Sequence, residues 1–150
     1  MANRSRGAVE RDPAEAILLD AEGLSKAADA HPVVRAFLLA AELSRTPVVV
    51  SAVTLAETLR GQRRDARVHG VLGGCRIEPV STEVGRAAGE LLGRTRRKDT
   101  VDTVDTVDTV DAVVAVTAAK LPGSVRVLTS DPADLRALTE EFPRVTIEAV

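Results

Sequence analysis

The chain has 150 residues, 45% of them hydrophobic and only 1% aromatic, enough for one domain whose core has to be built from Val, Leu, Ala and Ile. A formal net charge of −2 argues neither for nor against a nucleic-acid partner, so the distribution of charge matters more than its sum. One cysteine, Cys75, excludes an internal disulfide and fits a reducing compartment. No apolar run approaches the roughly 20 residues of a membrane span, and the N-terminus lacks the apolar centre of a signal peptide. The expectation is a soluble cytoplasmic domain without membrane contact.

Residues 1–15 are polar and arginine-bearing and read as a flexible leader; residues 16–150 form a single domain. Ala16 to Asp20 is a short apolar run ending in an acid, the pattern of a buried strand with Asp20 at its C-terminal edge. Pro32 to Ser44 predicts a helix with Val33, Val34, Phe37, Leu38 and Ala41 on one stripe. Pro47 to Ser51 predicts a second strand. Val53 to Leu59 turns helical and carries Glu57, and Asp65 to Leu72 predicts a further short helix closed by Gly73 and Gly74. Cys75 to Val80 predicts a third strand, with Cys75 a small core residue. Thr82 to Arg94 predicts a helix with Thr82 as its cap.

The segment from Asp111 to Lys120 leaves almost no polar face, which predicts a buried helix ended by Pro122 and Gly123. Val125 to Ser130 predicts a fourth strand, again followed by an acid, Asp131. Pro132 suits a first helical position, and Leu135 to Glu140 continues that helix. Arg144 to Val150 predicts a fifth, alternating strand. Strands alternating with helices give an α/β architecture with a mostly parallel five-stranded sheet covered on both faces. In such sheets, sites form outside the C-terminal ends of the strands.

Asp20, Glu57, Asp111 and Asp131 all fall at that edge. A cluster of four carboxylates repels itself unless a cation resolves it, and hard divalent ions such as Mg²⁺ or Mn²⁺ take carboxylate oxygens while keeping several waters. Such an ion binds a phosphate oxygen and acidifies a bound water for attack at phosphorus. The two histidines, His31 and His69, lie in polar contexts, and Ser51 and Ser130 end strands without a partnering histidine, which disfavours a hydrolase triad. Each acid also has an ordinary reading: Asp20 and Asp131 as turn formers or caps, Glu57 as a solvated helix face.

In order, the segments LLD, VTLAETLRG, DAVVAVTAA and LTSDPADL resemble a PIN domain, and within that family a VapC-type toxin of a bacterial toxin–antitoxin pair. The resemblance covers about Ala16 to Val150. It implies a PIN-like three-layer sandwich, a metal-dependent endoribonuclease, a homodimer and neutralisation by a cognate antitoxin. Carried over by position, Asp20, Glu57 and Asp111 match the core metal-binding acids and Asp131 the fourth acidic position, with Asp134 as a further supporting acid. Ser130 and Thr129 become candidates to hydrogen-bond Asp131 or a substrate phosphate.

The chain departs from the family pattern in its tandem repeat, where TVD occurs four times up to Asp111. Residues 99–110 read as an insertion. A period of three turns successive aspartates about 60° backwards round a helix, so they cannot all face one metal. Asp111 alone precedes the apolar helix; Asp108 can assist the metal, whereas Asp99, Asp102 and Asp105 read as solvated. Basic residues flank the acids. Arg60, Arg63, Arg64 and Arg67 follow Glu57, and Arg94, Arg96, Arg97 and Lys98 precede the repeat. Arg60, Arg64, Arg96 and Arg97 are the candidate contacts to RNA phosphates, with solvated helix ends as the competing reading. The scarcity of aromatics disfavours base stacking. An alternative for the whole chain is a catalytically impaired RNA- or antitoxin-binding module disabled by the repeat.

Overall fold

The computed structural model describes residues 14–98 and 108–150. Most of the expected leader and the repeat aspartates Asp99, Asp102 and Asp105 lie outside the described residues. Five strands, β1 (Ala16–Leu19), β2 (Val48–Ser51), β3 (Arg76–Glu78), β4 (Val125–Thr129) and β5 (Val145–Ala149), form one sheet in the order β3-β2-β1-β4-β5. Every pairing is parallel. Among the described residues seven helices flank the sheet: α1 (Ala21–Ala28), α2 (Pro32–Ser44), α3 (Ala52–Thr58), α4 (Asp65–Leu72), α5 (Thr82–Lys98), α6 (Thr109–Lys120) and α7 (Pro132–Thr139). This is the α/β sandwich expected from the sequence, with a sheet that is wholly rather than mostly parallel.

The period-two alternation of the central strands sorts their side chains into two cores. Ala16, Leu18, Val49, Val125, Val127 and Ile147 face Val114 and Ala118 of α6 and Leu135 of α7. Ile17, Leu19, Val50 and Leu128 face Leu24 of α1, Val34 and Ala41 of α2, and Val68 of α4. Helix α6 is covered twice, because Ala112, Val113, Ala115 and Val116 also pack against Val84, Ala88, Leu91 and Leu92 of α5. That double coverage explains its lack of a polar face: residues Ala112 to Ala118 are all buried.

Chain order reverses between β1 and β4, and the helices that follow these strands leave for opposite faces, α1 toward one core and α7 toward the other. A crevice at the carboxyl ends of β1 and β4 results, the usual location of a site in such a sheet.

Three local differences from the sequence expectation have simple causes. Helix α1 carries only Leu24 as a fully buried large side chain, too little periodicity to announce an eight-residue helix. Helix α5 continues to Lys98 because Thr95 extends the buried row begun by Leu91 and Leu92. Its cap is Ser81 rather than Thr82, with Ser81 Oγ accepting the Val84 N–H at 3.1 Å.

At Gly23, α1 packs closely against β4. A Cβ at this position would lie 2.5 Å from the Leu128 carbonyl oxygen of β4, an approach only glycine permits. Gly23→Ala should push α1 away from β4 and cost about 1–3 kcal/mol, read as a lowered urea midpoint with an unchanged m-value; unaltered stability would show that α1 yields freely at this contact.

Candidate active site

Asp20 follows β1 directly. Its extended backbone (φ −80°, ψ −174°) leads into α1, and its Oδ1 accepts the Gly23 N–H at 2.7 Å. It therefore caps α1 and at the same time presents a carboxylate at the crevice, uniting the two readings of the sequence. At the end of β4, the almost fully buried Thr129 hydroxyl donates to the Asp20 carboxyl and accepts the Asp131 N–H at 3.1 Å. Burial raises the Asp20 pKa above the ordinary carboxylate range, while the hydrogen bonds from Thr129 and Gly23 oppose the rise.

Asp108 and Asp111 divide the labour at the start of α6. Asp108 is the N-cap, its Oδ1 accepting the Asp111 N–H at 2.8 Å. Asp111, one turn into the helix, is left half-buried with its own carboxylate uncommitted to capping. Its pKa is pushed up to about 7, first by burial, then by the charges of Asp108, Asp134, Asp20 and Glu57. Glu57, exposed on the last turn of α3, is raised by desolvation and by Asp108, Asp20 and Glu22, with Arg60 pulling the other way. These mutual effects place Asp20, Glu57, Asp108, Asp111 and Asp134 in one electrostatic cluster.

Asp131 occupies a different place. It is exposed just before α7, anchored through its backbone N–H to Thr129. From this part of the chain it is Asp134, one turn into α7, whose charge raises Asp111. Nor do the neighbouring hydroxyls serve the Asp131 carboxylate: the Thr129 O–H is donated to Asp20, and Ser130 Oγ lies 3.4 Å from the Val150 carbonyl oxygen as a long donor. Gly23 and the donor role of Thr129 are the parts of the site that sequence reasoning missed. A glycine three residues after a strand-ending aspartate was the available signal for the first.

The candidate RNA contacts fall into two groups. Arg60 Nη1 donates to the Ala56 and Leu59 carbonyls at 3.0 and 2.8 Å, closing the C-terminus of α3. Arg64 is exposed at the entry to α4. Arg96 and Arg97 are exposed on the last turn of α5, where Arg94 is held by Glu141 at 2.6 Å.

Among the described residues no group of three or more His, Cys, Asp or Glu side chains forms a ready-made metal site. The chemistry of the acids nevertheless fits a hard divalent cation: the donors are carboxylate oxygens alone, and burial raises the pKa of Asp20, Glu57 and Asp111, with neighbouring acids adding to the rise. A cation would relieve that repulsion by drawing Asp20, Glu57 and Asp111 inward.

The raised pKa of Asp111 has a consequence for stability. Between its ordinary value of 3.8 and about 7 the folded state binds a proton that the unfolded chain has released. Stability from this group is therefore complete below pH 3.8 and is lost as pH rises through about 7. In metal-free protein, Asp111→Asn should gain about 1–2 kcal/mol at pH 8 after solvent screening of the half-exposed group, and nothing at pH 4. Urea unfolding at both pH values checks this; equal stabilities of parent and variant at pH 8 would contradict it.

The PIN domain family model matches residues 17–140. No curated protein matches the chain significantly. Among solved structures, the chain resembles a protein in VapBC2 from Rickettsia felis bound to a DNA fragment from their promoter, with a TM-score of 0.66, 15% identity, and coverage of 89% of this chain and 98% of the other. It likewise resembles one in DNA-bound VapBC from Salmonella typhimurium, with a TM-score of 0.63, 20% identity, and coverage of 89% and 97%. Fold, strand order and the match across most of its length lead to one assignment: the chain belongs to the PIN domain family.

Proposed function

We propose that this chain is a VapC-like endoribonuclease toxin that hydrolyses RNA phosphodiester bonds with Mg²⁺ or Mn²⁺. The observation that carries this reading is the set of carboxylates from the ends of β1, α3, α6 and α7 whose charges converge to raise the pKa of Asp111, and in part that of Glu57, at the switch point of the sheet. Asp20, Glu57 and Asp111 are the metal-holding residues, with Asp108 and Asp134 lending charge and Asp131 at the exposed rim. When bound, the ion supplies charge neutralisation and an acidified water for attack at phosphorus. Thr129 and the Gly23 N–H both hold the Asp20 carboxyl at the end of β1. Arg64, Arg96 and Arg97, with what remains of Arg60 beyond its capping bonds, attract the RNA backbone.

The two similar structures are VapBC complexes, which supports a cognate antitoxin as partner here. A cationic side chain inserted among these acids would neutralise them as a metal does. Metal-dependent cleavage of a mixed RNA pool tests the enzyme. Cleavage should require Mg²⁺ or Mn²⁺, stop in EDTA and fall by more than about 100-fold in Asp20→Asn; parental cleavage by a folded Asp20→Asn protein would remove Asp20 from the site.

A second reading is favoured by one observation: among the neighbouring charges, that of Asp108, a repeat residue, raises Asp111 most. Under that reading the repeat has impaired the centre, leaving a module that binds RNA or antitoxin. Deleting three TVD copies leaves D-T-V-D-A-V-V and its cap intact. An unchanged cleavage rate would support the enzyme as it stands, whereas cleavage appearing only after the deletion would establish the impaired module.

A further inference from the structure

The loop between α3 and α4 carries Arg60, Arg63 and Arg64 and is organised around one buried carboxylate. Asp65 is 5% exposed, and its Oδ2 accepts three successive backbone N–H groups, from Arg60 at 2.8 Å, Gly61 at 2.7 Å and Gln62 at 3.2 Å. Gly61 takes a positive φ of 71° to make this possible, a conformation that glycine adopts without strain. The converging donors hold the Asp65 carboxyl below the ordinary carboxylate range, so the clamp is charged at any pH where RNA is handled.

The clamped turn forms one wall of a cavity of about 840 Å³ whose other wall is α1, and Glu57 of the acidic cluster lines the same cavity. Of its arginines, Arg60 is engaged by carbonyls and Arg67 faces Asp29 at 3.9 Å. Arg63 and Arg64 are exposed and enter no ion pair among the described residues. Two exposed guanidinium groups directly after a fixed turn, beside an acidic centre, with Arg64 also acting on Asp65, have the chemistry of a phosphate-binding subsite.

We propose that Asp65 is a positioning residue that clamps the Arg60–Gln62 turn so that Arg63 and Arg64 hold phosphates of the RNA strand beside Glu57. The inference rests on the RNA reading above but assigns it a place: the strand passes over the α1–α4 side of the crevice, and its affinity there does not depend on the metal. The recognition is of backbone phosphates, and hence sequence-tolerant.

The test measures binding of a short fluorescein-labelled single-stranded RNA in EDTA, by anisotropy, across a range of KCl concentrations. Arg63→Gln/Arg64→Gln should flatten the salt dependence of log K by about 1.4, about 0.7 for each lost contact on a single strand. Asp65→Asn should flatten it in the same direction although both arginines remain, and should raise KM roughly tenfold with kcat unchanged, the pattern of lost backbone contacts. Mn²⁺ affinity at the acidic centre should stay parental, which general destabilisation would not allow. If Asp65→Asn fails to fold, Gly61→Ala perturbs the same turn by its positive φ, with no neighbour within 4 Å of the added Cβ, and should give the same flattening.

A parental salt slope in the double arginine variant overturns the pocket, and a parental slope and KM in folded Asp65→Asn, or a parental slope in Gly61→Ala where it stands in, overturns the clamp. Flattened slopes in the variants of a parent protein that itself never cleaves RNA would uphold the pocket while retiring the nuclease. A parent that binds no RNA retires both.

Discussion

Like charge held together at the carboxyl edge of a parallel sheet is the constraint on which the rest of the structure depends. Folding brings Asp20, Glu57, Asp111 and Asp134 together from four parts of the chain, and burial makes their charge dearer still. Part of that cost is offset by where the acids sit. Asp20 caps α1, Asp111 lies in the first turn of α6 and Asp134 in the first turn of α7, where exposed N–H groups favour a negative charge by about 0.3–1 kcal/mol each. Glu57 is the exception. It lies at the C-terminal end of α3, the unfavourable end for an anion, and there Arg60 both satisfies the last carbonyls and pulls the Glu57 pKa down. One arginine compensates for the one acid that the helix geometry does not serve.

The same constraint explains why the surrounding packing is so tight. The acids converge only if α1 and α6 enter the crevice close to the strand ends. Gly23 lets α1 approach the Leu128 carbonyl without a Cβ in the way, and the nearly pure Ala and Val surface of α6 lets it lie between the sheet and α5. Small side chains bring backbones near one another, and the backbones carry the carboxylates. The composition noted at the outset, rich in Ala and Val and nearly devoid of aromatics, thus serves the geometry of the site as well as the core.

Much of this was legible in the sequence, for identifiable reasons. Helices α2 and α4 and the central strands were readable because their apolar periodicity or β-branched runs are long relative to their length, and Pro32, Pro122 and Gly123 punctuate them. The acids stood out because each follows or opens an apolar segment. What was not legible depends on contacts distant in sequence. The Asp20–Thr129 hydrogen bond joins residues on neighbouring strands, and nothing in LLDAEG or VLTSD pairs them. The sequence placed Asp131 as the fourth acid and Asp134 as a supporting one; it is Asp134, from the first turn of α7, that bears electrostatically on Asp111. The cap at Asp108 was hidden for another reason. Its partner spacing, aspartate to aspartate over three residues, is repeated identically upstream, so local pattern alone cannot say where α6 begins.

An acidic cluster and an arginine loop side by side set opposite terms for a phosphodiester. Without a cation, carboxylates within a few ångströms of a phosphate repel it, and at a short Debye length of about 8 Å that repulsion is confined to the crevice. Arg63 and Arg64, next to a turn fixed by Asp65, would attract the same strand a short distance away. On the proposed reading, affinity and chemistry would be carried by different residues: the loop would hold the strand whether or not the acids are neutralised, and the acids would admit the scissile phosphate only once a cation had entered. A cationic side chain from a partner would satisfy the acids and leave no positive charge for the phosphate. On the proposed reading, metal and partner would compete for one electrostatic vacancy, set by the placement of Asp20, Glu57 and Asp111.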